Sequence, residues 1–177
     1  MEAGFSPRLS ARRWLFAFAT LAGGIALGAQ PAQALVINAT FDSSITASPY
    51  ASLIESDFSK AEAVYERAFK TPVTVNVEIG WGSVDGKAMK GGALGTTVDN
   101  LYGYFNYSQI AGYLKADAKS NTADLALKQA VASLPSSVSG EQDFAVSSSE
   151  AKALGIIPGT LPGEDAYIGF SSTAAFD

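Results

Sequence analysis

The chain has 177 residues, no histidine, no cysteine and a formal net charge of −5. Without histidine, a Ser-His-Asp hydrolase and a histidine-held metal are excluded; without cysteine, so are thiol nucleophiles, thiolate metal sites and disulfides. An acidic surface with no basic cluster argues against nucleic acid, whose phosphates need a basic footprint.

Residues 1–34 read as a secretory signal peptide. Arg8, Arg12 and Arg13 give a basic start, Trp14 to Leu27 an uncharged apolar run, and Ala32-Gln33-Ala34 the small residues a signal peptidase recognises, with cleavage after Ala34. The run falls short of the roughly 20 residues that span a bilayer comfortably. Arg12-Arg13-Trp14-Leu15-Phe16 is also a weak match to a twin-arginine signal. This implies a secreted, periplasmic or cell-surface protein with no membrane segment after cleavage. The lack of cysteine suits a bacterial exported protein better than a small eukaryotic one. Residues 35–177 are one domain's worth. They keep nine of the twelve basic residues and sixteen of the seventeen acidic ones, a net charge of −7.

Leu35 to Phe41 alternates, with Leu35, Ile37, Ala39 and Phe41 on one face, and reads as a first strand. Asp42 to Ser48 reads as a polar turn. Pro49 to Phe69 carries an apolar stripe of Tyr50, Leu53, Ile54, Phe58, Ala61, Val64, Tyr65, Ala68 and Phe69, the spacing of a helix facing a core. Ser48 caps it and Pro72 closes it. Val73 to Ile79 alternates again, valine and isoleucine against Thr74, Asn76 and Glu78. Strand, helix and strand form a crossover unit with parallel strands. The polar face of each strand predicts helices on one side of the sheet only.

Gly80 to Gly95 is glycine-rich, but its spacing matches neither a dinucleotide fingerprint nor a P-loop, so it reads as a hairpin or surface loop. Thr96 to Asn106 is β-branched and aromatic, a strand or an extended edge segment. Tyr102, Tyr104, Tyr107 and Tyr113 cluster around it, which favours amphipathic packing over a sugar or peptide groove. Helices follow from Ser108 to about Lys119 and from Thr122 to about Leu134. Ser147 and Glu150 make a capping box for a short helix stopped at Gly155, and Ala166 to Ser171 is the last strand.

Candidate chemistry is sparse. Ser149 lies three residues before Lys152, a spacing that an exposed helix face explains. Glu164 with Asp165, and Glu141 with Asp143, read as solvated loop charges, since a calcium loop needs more oxygen ligands at regular spacing. Asn38-Ala39-Thr40 and Asn106-Tyr107-Ser108 match the glycosylation sequon, which matters only in a host that glycosylates.

Several pieces, taken in order, carry a resemblance. They are Asn38 to Ser44 before the long helix, Pro72 to Val77 with Gly80-Trp81-Gly82, Ala93-Leu94-Gly95 and Tyr107-Ser108-Gln109. Ala151 to Gly155 and Tyr167 to Ser172 complete the series. Across residues 35–177 the chain resembles the N-terminal part of a family of exported bacterial zincin-like metalloproteases. The resemblance implies an α/β (α+β) fold, a zincin-like mixed twisted sheet with helices mainly on one face, incomplete at its C-terminal side. It implies an edge strand lining the substrate cleft, assigned to Tyr167, Ile168, Gly169, Phe170 and Ser171, where a peptide or protein substrate adds as a further strand. Beyond it the family carries another strand and a His-Glu-x-x-His helix that holds zinc. This sequence has no histidine, so no catalytic or metal residue is carried over, and zinc is expected only in full-length family members. The expected function is the substrate-side portion of such a peptidase, truncated before the zinc helix and inactive by itself. The alternative is a non-catalytic exported module binding peptide or glycan.

Overall fold

The computed structural model describes residues 35–140 and 143–174; the signal-peptide reading of residues 1–34, and Glu141 of the Glu141–Asp143 pair, lie outside the described residues. Strand β1 (Val36–Phe41) pairs in parallel with β2 (Thr74–Trp81), Val36 opposite Thr74 through Phe41 opposite Ile79. Alternation turns Ile37, Ala39 and Phe41, with Val75, Val77 and Ile79, to one face, where they form the core. The segment between them holds two helices, α1 (Ser43–Thr46) and α2 (Ala51–Ala68).

The polar turn expected over residues 42–48 is thus partly helical. The Asp42 carboxylate accepts from Ser44 N and Ile45 N, which caps α1 and drives Ile45, fully buried, into the centre of the core. The α2 stripe also differs from expectation. Ile54 and Phe58 pack inward, Phe58 edge-to-face on Phe41 with ring centroids 6.0 Å apart. Leu53, Val64, Tyr65 and Phe69 are exposed, Leu53 by 60%. On the inner side Glu66 accepts a hydrogen bond from Ile37 N, 3.0 Å. A stripe this broad cannot be seated on a narrow sheet, so its second half stays outside the core.

Strand β8 (Ala166–Phe170) pairs in parallel with β2, and β5 (Gly95–Asp99) pairs antiparallel with β8, giving the sheet order β1-β2-β8-β5. The fold is α/β, with a mixed sheet and five helices among the described residues. On the face opposite α2, the glycine-rich segment forms a small hairpin, β3 (Ser83–Val84) and β4 (Lys87–Ala88), turning at Asp85 and Gly86 with both φ angles positive. The hairpin lies against the sheet so closely that a Cβ on Gly80 or Gly169 would come within 2.4 Å of the Ser83 carbonyl. Strand β6 (Leu101–Phe105) leaves the main sheet and pairs with β7 (Phe144–Ser147). Helix α3 (Tyr107–Ser120) has an Asn106–Gln109 capping box, and α4 (Leu125–Ala132) is capped by Asp124 rather than Thr122. Helix α5 (Ser148–Ala153) has the expected Ser147–Glu150 box. No described helix is long and apolar enough to cross a membrane.

One buried ion pair joins these parts. Lys152 Nζ of α5 donates to Asp165 Oδ2 at 2.5 Å and to Thr74 O at 3.0 Å, and both charged side chains are only 1% exposed. The same carboxylate accepts from Asn76 N (2.9 Å) and Ser148 Oγ (2.6 Å). The Asp165 backbone donates to Asn76 O and accepts from Asn100 N. Every described polar atom of the carboxylate is therefore satisfied, which a buried charge requires. Replacing one member of such a pair strands the other in a dry interior. Lys152→Met is expected to lower the unfolding free energy by about 3–5 kcal/mol, read from urea unfolding at neutral pH; a loss under about 1 kcal/mol would show the pair to be wet and dispensable.

Candidate functional site

The structure places the five residues assigned to a cleft edge inside the sheet. Between Ala166 and Phe170 the strand is paired on both sides, with β2 and with β5. Its backbone donors and acceptors are taken, so no peptide can add to it; the edge assignment is corrected. Tyr167 lies between Glu78 and Val98, half-buried on the polar face, and Ile168 lies between Ile79 and Thr97 in the core. Gly169 sits beneath the β3–β4 hairpin, where only a residue without a side chain fits. Phe170 lies between Trp81 and Gly95. Ser171 is buried, its N–H bonded to Leu94 O and its hydroxyl accepting from Thr173 N and Ala174 N.

The free edge on this side of the sheet is β5. Ser171 N donates to Leu94 O and Asn100 N donates to Asp165 O. In an antiparallel ladder, bonding alternates along the strand. Leu94, Thr96, Val98 and Asn100 therefore face β8, while exposed Gly95, Thr97 and Asp99 turn their N–H and C=O groups outward. No described strand lies beyond them. The β-branched run Thr96-Thr97-Val98 was the sequence signal for this strand; which partner it takes is not written in that run.

Next to β5 the core face opens into an apolar groove of about 460 Å³ at the carboxyl ends of β2 and β8. Leu53, Ile54, Phe58 and Ala61 of α2 form one wall, and Trp81 and Phe170 the other. Asp57 is its one charged lining residue among those described. Ile54 and Phe58 thus face both the core and the groove, joined there by Leu53 and Ala61, whereas Val64, Tyr65 and Phe69 lie outside both. Trp81 therefore closes the edge of the core and also floors this groove.

Two carboxylates near the sheet ends have displaced titrations. Burial works to raise Asp42, but hydrogen bonds from the Ser44 and Ser83 hydroxyls and from the Ser44 and Ile45 N–H groups outweigh it and hold it below the usual range. Ser83 Oγ reaches Asp42 Oδ2 at 2.6 Å, and Trp81 N donates to Ser44 Oγ at 2.7 Å. The knot ties the ends of β1 and β2 to the hairpin. It is a cap in which both serines donate to Asp42, a carboxylate too weakly basic to activate either. Glu164 is the opposite case. Burial, then the carboxylates of Glu78 and Asp165, push its pKa up against the pull of Lys152, and its Oε2 is buried with no described hydrogen-bond partner.

The remaining sequence candidates do not converge on a reaction centre. Ser148, not Ser149, reaches the carboxylate that Lys152 holds, and neither serine is bonded to the lysine. Of the tyrosines, Tyr102 stacks on Phe105, Tyr113 meets Phe105 edge-on, and Tyr107 donates to Pro135 O. Of these four, Tyr104 is the most exposed, at 65%. Among the described residues no three His, Cys, Asp or Glu side chains are grouped to hold a metal ion.

The chain matches no family model, no curated protein and no solved structure.

A raised Glu164 pKa means that folding favours its protonated form: this contribution to stability is present below the unfolded value, about 4.3, and is lost as pH rises through the folded one. Glu164→Gln is expected to raise the unfolding temperature at pH 7, and the gain over the parent should vanish by about pH 4. An equal gain at both pH values would assign the effect to something other than the charge.

Proposed function

We propose that residues 35–177 are the substrate-side portion of an exported zincin-like metallopeptidase. Strand β5 carries the reading. It runs antiparallel to an otherwise parallel sheet, and its outward N–H and C=O groups at Gly95, Thr97 and Asp99 are open to an extended chain. The resemblance calls for an edge strand that receives peptide, then one further strand, then a helix bearing the zinc ligands. β5 suits the first part and β8 the second. The apolar groove between α2, Trp81 and Phe170 suits an amphipathic helix as the third. The residues that would grip zinc are not among these 177, which have neither histidine nor cysteine, so no catalytic or metal residue is assigned to this chain. Export rests on the reading of residues 1–34.

The exposed Tyr104 favours a second reading, a non-catalytic exported module that binds peptide or glycan. Loss of glycan binding in Tyr104→Ala, with peptide binding intact, would select it.

The purified chain is expected to leave casein uncut and to show no tight zinc binding by calorimetry; zinc-dependent cleavage by this chain would refute the assignment. Extended peptides are expected to bind at β5. Thr97→Pro removes an N–H that faces away from β8, so it should weaken that binding at least about tenfold while leaving the unfolding temperature nearly unchanged. Undiminished binding in Thr97→Pro would sink the edge assignment.

A further inference from the structure

We infer that the turn preceding β5 is a carboxylate site that receives the free C-terminus of an extended peptide lying on that strand. The inference rests on the edge reading above and adds to it the class of peptide bound. A polar pocket of about 150 Å³ lies at this end of the sheet, lined by Lys90, Gly91, Gly92 and Ala93 on one side and Ser172 and Thr173 on the other. Among the described residues Lys90 is the only charged one lining it, and no described carboxylate does. The N–H groups of Gly91 and Gly92 have no partner among the described residues. Gly92 adopts a φ of +84°, which glycine takes without strain, and turns of this kind present successive N–H groups to an anion.

The two walls are fixed relative to the strand. Ser171 N donates to Leu94 O at 2.8 Å, one residue before β5, and the Ser171 hydroxyl accepts from Thr173 N and Ala174 N at 3.2 and 3.0 Å. The pocket therefore stands at the beginning of the free edge.

Direction then selects the ligand. A peptide pairing antiparallel with β5 runs opposite to it, so its C-terminal end comes to lie beside Gly95 and the Lys90–Ala93 turn. A free carboxylate there meets an ammonium, two unpaired N–H groups and a serine hydroxyl, all of them donors. A peptide in the parallel sense would bring its own ammonium against Lys90. Charge thus favours one strand direction and a chain that ends at the pocket.

The test uses the whole protein and the hexapeptide acetyl-Ala-Thr-Val-Lys-Val-Ala, once with a free carboxylate and once as the C-terminal amide. Amide shifts are followed by NMR. The free acid is expected to bind about tenfold more tightly than the amide and to move Gly91 and Gly92 together with Gly95, Thr97 and Asp99. Lys90→Ala should abolish the preference for acid over amide, and Lys90→Arg should keep it. Equal binding of the two peptides, with shifts confined to β5, would overturn the carboxylate site and leave the edge reading standing. Shifts at Gly91 and Gly92 with acetate, but none at β5 with either peptide, would overturn the edge reading and this inference with it.

Discussion

A single carboxylate fixes the arrangement of the sheet. Asp165 meets Lys152 from α5, Asn76 N from β2 and Ser148 Oγ from the start of α5, while its own carbonyl receives Asn100 N from the β5–β6 junction. A buried ion pair is a poor source of net stability, because taking two charges out of water offsets most of their attraction. Its value here is positional. If β8 slipped by one residue, Asp165 would lose Lys152 and Asn76 together and be left charged in the core. Such a slip would also move Ile168 and Phe170 from the core to the opposite face. Charge and apolar pattern thus enforce the same register, which places β8 between β2 and β5.

That constraint explains what local patterns disclose and what they do not. The alternating strands, the Ser147–Glu150 box and the stop at Gly155 were legible because each depends on neighbours in sequence. The partners of β8 were not. Ala166 to Phe170 alternates like any half-buried strand, and nothing in those five residues says that an antiparallel neighbour comes from seventy residues earlier. The same limit applies to α2. Periodicity marks an apolar stripe, but the stripe is shared between the core, through Ile54 and Phe58, and an open groove, through Leu53 and Ala61. Asp42 shows a third kind of loss: read as part of a polar turn, it is the cap that inserts Ile45, with Ile79 the largest fully buried apolar side chain among the described residues.

The glycines of the connecting segment have a packing role that no phosphate-loop pattern would predict. Gly80 and Gly169 are adjacent across the β2–β8 ladder, and together they make a bare patch on which the β3–β4 hairpin rests. Val84 and Met89 reach the same patch, so the hairpin closes the polar face of the sheet near its carboxyl end. Among the described residues the opposite face at that end has no equivalent cover. The apolar groove beside Trp81 and Phe170 is therefore a local property of one face and not a general looseness of the fold.

The bare edge and the bare groove meet at one ladder rung, Gly95 opposite Phe170. An exposed edge invites unwanted pairing, and soluble proteins limit it by keeping edge strands short and charged. β5 is five residues long and ends in Asp99, which restrains pairing without covering the outward groups at Gly95 and Thr97. A peptide that adds to β5 pairs with that edge. A groove of about 460 Å³ walled by leucine, isoleucine, phenylalanine and tryptophan stands beside it, at the carboxyl ends of two parallel strands. Leaving so much apolar side chain in water is unfavourable by roughly 25 cal/mol for each Å², a cost that an element seated over Trp81 and Phe170 would remove. An edge open to an extended chain, with an apolar groove beside it that an amphipathic helix would fill, is the combination on which the proposed peptidase scaffold rests.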